Sequence, residues 1–148
     1  MSSGVRPLLT TLRVKYNQIM TYIDTYEQHI AQLCGCTIRA VRYLEFPTDD
    51  GTPTWNSASF DVLHCGFELD TDQGGMFAFT WDGRNPDYGI AVTHRPVAQE
   101  FTTELTVWDV TATSRWANSI GIPITATAVT WIYPMIIPDD VPATPLTI

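Results

Sequence analysis

Leu9, Leu12, Tyr16, Ile19, Met20, Ile23, Ile30 and Leu33 recur mostly at steps of three and four residues, with polar side chains between them. Residues spaced this way share one face of an α-helix, so the pattern predicts an amphipathic helix from about Leu8 to Cys34. Thr10 or Thr11 can cap its start, Pro7 lies ahead of it, and Gly35 stands where a terminating glycine belongs. The stripe is expected to face a core.

Beyond Gly35 the period changes. Residues 36–46 (CTIRAVRYLEF) are rich in β-branched and aromatic side chains and read as a strand. A loop follows over 47–57 (PTDDGTPTWNS), with Trp55 as the large apolar group in a polar stretch. In residues 60–69, Leu63, Cys65, Phe67 and Leu69 alternate with Val62, His64, Gly66 and Glu68, which predicts a second strand. Asp70 to Gly75 makes a turn into a third strand over 76–81, with Phe77, Phe79 and Trp81 on one face, and the two form a hairpin. Residues 82–87 (DGRNPD) turn the chain again into a strand over 88–94. A fifth strand is expected over 101–110, a short helix over 111–120 closed by Gly121, and a last strand over 124–133. Pro134, Pro138, Pro142 and Pro145 then predict an extended tail over about 134–148 that cannot continue the sheet. The expected architecture is α+β: a long N-terminal helix packed on an antiparallel meander of about five to six strands, one short helix before the last strand, all in a single domain over 1–148.

Composition narrows the functional classes. The 148 residues carry a net charge of −8, with one lysine, Lys15, and seven arginines. A nucleic-acid or anionic-membrane surface needs a basic face, so neither is expected as a partner. An acidic chain can be steered toward a basic protein. Three cysteines, two of them one residue apart at Cys34 and Cys36, do not make a disulfide framework. With no apolar run suited to a signal peptide or a bilayer span, the cytoplasm is the expected compartment.

The chemistry-bearing side chains form no catalytic motif. His29, Cys34, Cys36, His64, Cys65 and His94 lack the paired knuckle spacing of structural zinc, and adjacent His64 and Cys65 on a strand would point to opposite faces, so no metal or other cofactor is expected. There is no nucleophile elbow and no phosphate-binding glycine loop. Asp70-Thr71-Asp72-Gln73-Gly74 breaks the calcium-loop pattern. What remains is a set of aromatic and acidic turns. Trp55 with Asp49 and Asp50, and Asp82, Arg84 and Asp87 after Trp81, are the candidate partner-binding residues, because aromatic anchors ringed by charge make interface hot spots.

The segment GFELDTDQGGMFAFTW followed by WDVTATSRWANSIGIPITATAVTW resembles a pattern in small bacterial proteins of high-GC organisms. There a hairpin ending in Trp precedes an S-x-W helix, a Gly-x-Pro turn and a strand ending in Trp. Trp81, Ser114, Trp116, Gly121, Pro123 and Trp131 are the matching positions, and the resemblance spans about the C-terminal two-thirds. It carries no catalytic residue over, and it implies, by analogy with immunity proteins, a non-enzymatic inhibitor of a basic protein toxin. A small enzyme with a site gathered from scattered Cys, His and Asp, and a scaffold domain docking through its tail, are the alternatives.

Overall fold

The computed structural model describes residues 25–73, 75–82, 89–132 and 144–147. Its main feature is a five-stranded antiparallel sheet: β1 (Ile38–Glu45), β2 (Gly66–Thr71), β3 (Met76–Asp82), β4 (Gly89–Thr93) and β5 (Thr106–Asp109), in the order β4-β3-β2-β1-β5. The first four strands form the expected meander. β5 departs from it by returning to the far side of β1, pairing Tyr43 with Trp108 and Leu44 with Val107.

The long N-terminal helix is corrected. The described helix, α1, covers residues 25–31 and gives way to turns over 32–35, so the fold is mostly sheet. The predicted span 8–24 lies outside the described residues. Ile30 and Leu33 of the predicted stripe are buried in the core, and so is Tyr26 beside them. The chain leaves the helix through Gly35, whose φ of 87° suits glycine, and whose N–H donates to the Ile124 carbonyl.

The expected short helix over 111–120 is corrected to a run of turns. Its bonds are isolated: Trp116 N and Ala117 N to Thr113 O, then Ser119 N and Ile120 N to Trp116 O. The cause is local competition. Thr113 Oγ1 donates to Val110 O, the carbonyl that a helix starting here would pair with the Ser114 N–H. The last strand is also shorter than expected. β6 is Thr130–Ile132, and it pairs with β7 (Thr144–Thr147) in a separate two-stranded ladder lying against β4. The described part of the Pro-rich tail is thus a strand, with Pro145 opposite Trp131 beside a register shift.

Strand alternation gives the sheet two buried faces. Val41, Tyr43, Leu69, Phe77, Phe79 and Val92 form the larger core with α1, and Trp55, Leu63, Trp108 and Trp116 pack on it. Leu44, Cys65, Ala78, Val97 and Leu105 form a smaller core on the other face, under the 3₁₀ turn Val97–Glu100. Simple alternation predicts Cys65 beside Phe67, but Cys65 lies in the opposite cluster. Gly66, at φ 151°, switches the chain between faces at the start of β2. No helix among the described residues is long and apolar enough to cross a membrane.

Candidate functional site

Two loops meet over the larger-core face of the sheet, at Tyr43. The first is anchored by Glu45, the buried last residue of β1. Its carboxylate accepts from Thr54 N at 3.2 Å, Thr54 Oγ1 at 2.7 Å and Trp108 Nε1 at 2.8 Å. His64 Nε2 approaches it at 3.9 Å. With both oxygens engaged by fixed donors, Glu45 reads as the peg that sets where the loop begins.

From that peg the chain forms a narrow hairpin over 55–62. Val62 N donates to Trp55 O at 2.7 Å, Asn56 bridges Asp61, and Ser57 N donates to Phe60 O at 3.2 Å. The small residues Ser57-Ala58-Ser59 make the tip, and Phe60 there is 61% exposed. Trp55 does not project. It packs edge-on against Tyr43 with ring centroids 5.3 Å apart, and its indole Nε1 is buried with no hydrogen-bond partner among the described residues.

Asp61 ties the hairpin to the second loop. Its side chain is only 8% exposed and pairs through Oδ1 with Arg115 Nε at 3.3 Å. Its Oδ2 accepts from the Tyr43 hydroxyl at 2.9 Å, and that hydroxyl accepts from Trp116 Nε1 at 2.6 Å. Indole, phenol, carboxylate and guanidinium thus form one chain of contacts between loops and sheet. Burial pushes Tyr43 up to about 12; the Asp61 acceptor and its charge reinforce the shift, and the Trp116 N–H opposes it. Burial pushes Tyr26 up to about 12 as well.

This linkage has a measurable sign. Both phenols hold their protons more tightly when folded, so their contribution is complete below about pH 10 and declines as pH rises through the folded values. Urea denaturation from neutral to alkaline pH should show stability falling on that limb, less steeply in Tyr43→Phe. At neutral pH the same variant should cost about 2 kcal/mol, because Asp61 loses a donor and the Trp116 N–H its acceptor. A Tyr43→Phe protein as stable as wild type at pH 7 would refute the network's role.

Between the loops lies an open cleft of about 420 Å³, lined by Trp55, Asn56, Ser57, Asp61, Ser114 and Arg115 together with Ala58 and Thr113. On the other side of Asp61 an apolar cavity of about 260 Å³ is lined by Leu63, Phe67, Phe79, Trp81 and Ile90, among others.

The sequence-derived candidates fall in different places. Asp49 is exposed. Asp50 is exposed too, but its carboxylate closes a turn by accepting from Thr52 N at 3.1 Å and Thr52 Oγ1 at 2.7 Å, which holds its pKa below the usual carboxylate range. Asp82 ends β3, its backbone paired with Gly89. Arg84 and Asp87 lie outside the described residues. Phe60, Asp61 and Arg115 were not among the candidates. The signal available for them was Asn56-Ser-Ala-Ser-Phe-Asp61, small polar residues between two turn formers, which marks a hairpin tip rather than the start of a long strand.

Two of the histidines meet on the sheet. His94 engages Met76 O and Gln32 Oε1, and His29 contacts Val92 O, with the two rings 5.6 Å apart. Cys34 is exposed, whereas Cys36 and Cys65 are buried free thiols. Among the described residues no three His, Cys, Asp or Glu side chains gather as a metal site. No protein-family model matches the chain, and neither does any curated protein or solved structure.

Proposed function

We propose that the chain is a non-enzymatic protein-binding module, an inhibitor of the immunity type whose partner is a basic protein. The observation that carries this reading is Phe60, an aromatic side chain 61% exposed at the tip of a hairpin fixed by its own backbone bonds and by Asp61. Large apolar groups held out on rigid supports are what interface anchors are made of, since little conformational entropy is lost when they bind. The acidic loop at Asp49 and Asp50 and the net charge of −8 supply steering toward a basic surface.

The test begins with affinity capture from the native host and continues with surface plasmon resonance against the purified partner. Phe60→Ala should speed dissociation about 30-fold, the equivalent of about 2 kcal/mol at a hot spot. Asp49→Asn combined with Asp50→Asn should instead slow association and flatten its dependence on salt. Both variants should melt like wild type. A captured partner whose kinetics neither variant changes would overturn this face, and turnover of a small molecule with no protein partner would favour the enzyme alternative.

A further inference from the structure

The cleft between the loops has a chemistry of its own. Its two charged groups, Asp61 and Arg115, are paired with each other, so the site has no net charge to offer. A carboxylate ligand would meet Asp61, and an ammonium ligand would meet Arg115. The rest of the polar lining is neutral and mixed: the Asn56 amide and the hydroxyls of Ser57, Thr113 and Ser114. Hydroxyls and amides both donate and accept, the property a ligand built of hydroxyl groups requires, because each of its groups must do both when water is removed. Trp55 contributes only a small apolar part of the lining, most of which is polar. The volume, about 420 Å³, falls in the range of small-molecule sites. The charged pair is also held in place before any ligand arrives. Asp61 is fixed by Tyr43, which is fixed in turn by Trp116, while the Arg115 side chain remains 41% exposed toward solvent.

We propose that the cleft between the 55–62 hairpin and the 113–115 loop binds an uncharged polyhydroxylated ligand, one or two saccharide rings, hydrogen-bonded by Asn56, Ser114 and Arg115. This site does not rest on the protein-binding reading, since Phe60 does not line it. The ligand is either a free sugar or a glycan carried on another molecule.

The test is amide chemical-shift titration of the full chain with methyl glycosides of glucose, galactose, mannose and N-acetylglucosamine, and with cellobiose and maltose. A glycan array runs in parallel, and sodium acetate and methylammonium chloride serve as charged controls. The expected result is saturable shifts centred on residues 55–58 and 113–115 for at least one neutral sugar, with a dissociation constant of roughly millimolar. These shifts should be lost in Arg115→Ala and reduced at least fivefold in affinity in Asn56→Ala, and each variant's own spectrum reports whether it is folded. Phe60→Ala should leave the sugar shifts in place, so this proposal and the protein-binding reading fail separately. Binding to free sugars places the ligand in solution; binding on the array alone places it on a glycan. Shifts with acetate or methylammonium but no neutral sugar would overturn the proposal, as would no response to any sugar at about 50 mM together with a blank array.

Discussion

Gly66→Ala should cost about 3–5 kcal/mol, a large share of the stability a domain of this size holds. Two effects add. At φ 151° the backbone of Gly66 sits where L-residues are strained, and a Cβ there would press into the Phe79 carbonyl oxygen, with the Phe79 carbonyl carbon and the Thr80 Cα each 3.2 Å away. Those atoms belong to β3, the strand that pairs with Gly66 through Thr80, so relief would require pulling the hairpin apart. Gly51 is the internal control. It has φ 66° but nothing within 4 Å of the position its Cβ would occupy, so Gly51→Ala should cost only the conformational part, about 1 kcal/mol. Urea denaturation of the two variants beside wild type decides the matter, and equal midpoints for both would refute the close approach of β2 and β3.

Arg42→Met should be comparably damaging. On the smaller-core face Arg42 Nε donates to Glu68 Oε2 at 3.1 Å, and its two terminal nitrogens reach Asp70 at 2.6 and 2.9 Å. The Glu68 side chain is 7% exposed, and its other oxygen accepts the buried Val97 N–H at 2.9 Å. Removing the guanidinium strands a carboxylate inside the sheet, a change that typically costs about 3–5 kcal/mol. The charge, rather than the lost packing, is the stated cause, and it can be tested. Adding Glu68→Gln keeps an acceptor for Val97 while removing the buried charge, so the double variant should recover much of the loss. A double variant less stable than Arg42→Met alone would contradict this assignment. Asp70 adds a pH signature. Arg42 holds its carboxyl below the usual carboxylate range, so its contribution is full above about pH 4 and lost on further acidification in wild type, but absent in Arg42→Met.

The sequence carried the strands well, because each is a short run of β-branched and aromatic residues ended by turn formers. Ile38–Glu45, Met76–Asp82 and Gly89–Thr93 lie within a few residues of their expected bounds. What it obscured were features decided by groups distant in the chain. Alternation assigned Cys65 to the same face as Phe67, because nothing local marks the switch at Gly66 except the glycine itself. Residues 111–120 read as a helix, yet the Thr111 and Thr113 side chains bond to backbone instead. Tyr43 reads locally as one more strand aromatic. Its role as the hinge of the Trp116–Asp61–Arg115 contacts comes from partners 18 and 73 positions away. Trp55 looked like an isolated surface anchor because its partner, Tyr43, lies on a strand twelve residues earlier, and the exposed aromatic of that hairpin is Phe60.

The placement of β5 bears on how the chain folds as it is made. The open flank of β1 is closed by two late segments: Thr106–Asp109 against residues 42–45, and residues 121–124, where Gly121 N donates to Ile38 O and Ile124 N to Cys36 O. A nascent chain that has released only β1 to β4 can complete the meander, but it presents β1, with its buried Val41 and Leu44, as a bare strand edge. Residues 106–124 therefore act as the seal on a template for misassembly. A ribosome stalled, or a protease cutting, before Thr106 would release a sticky fragment rather than a smaller stable one.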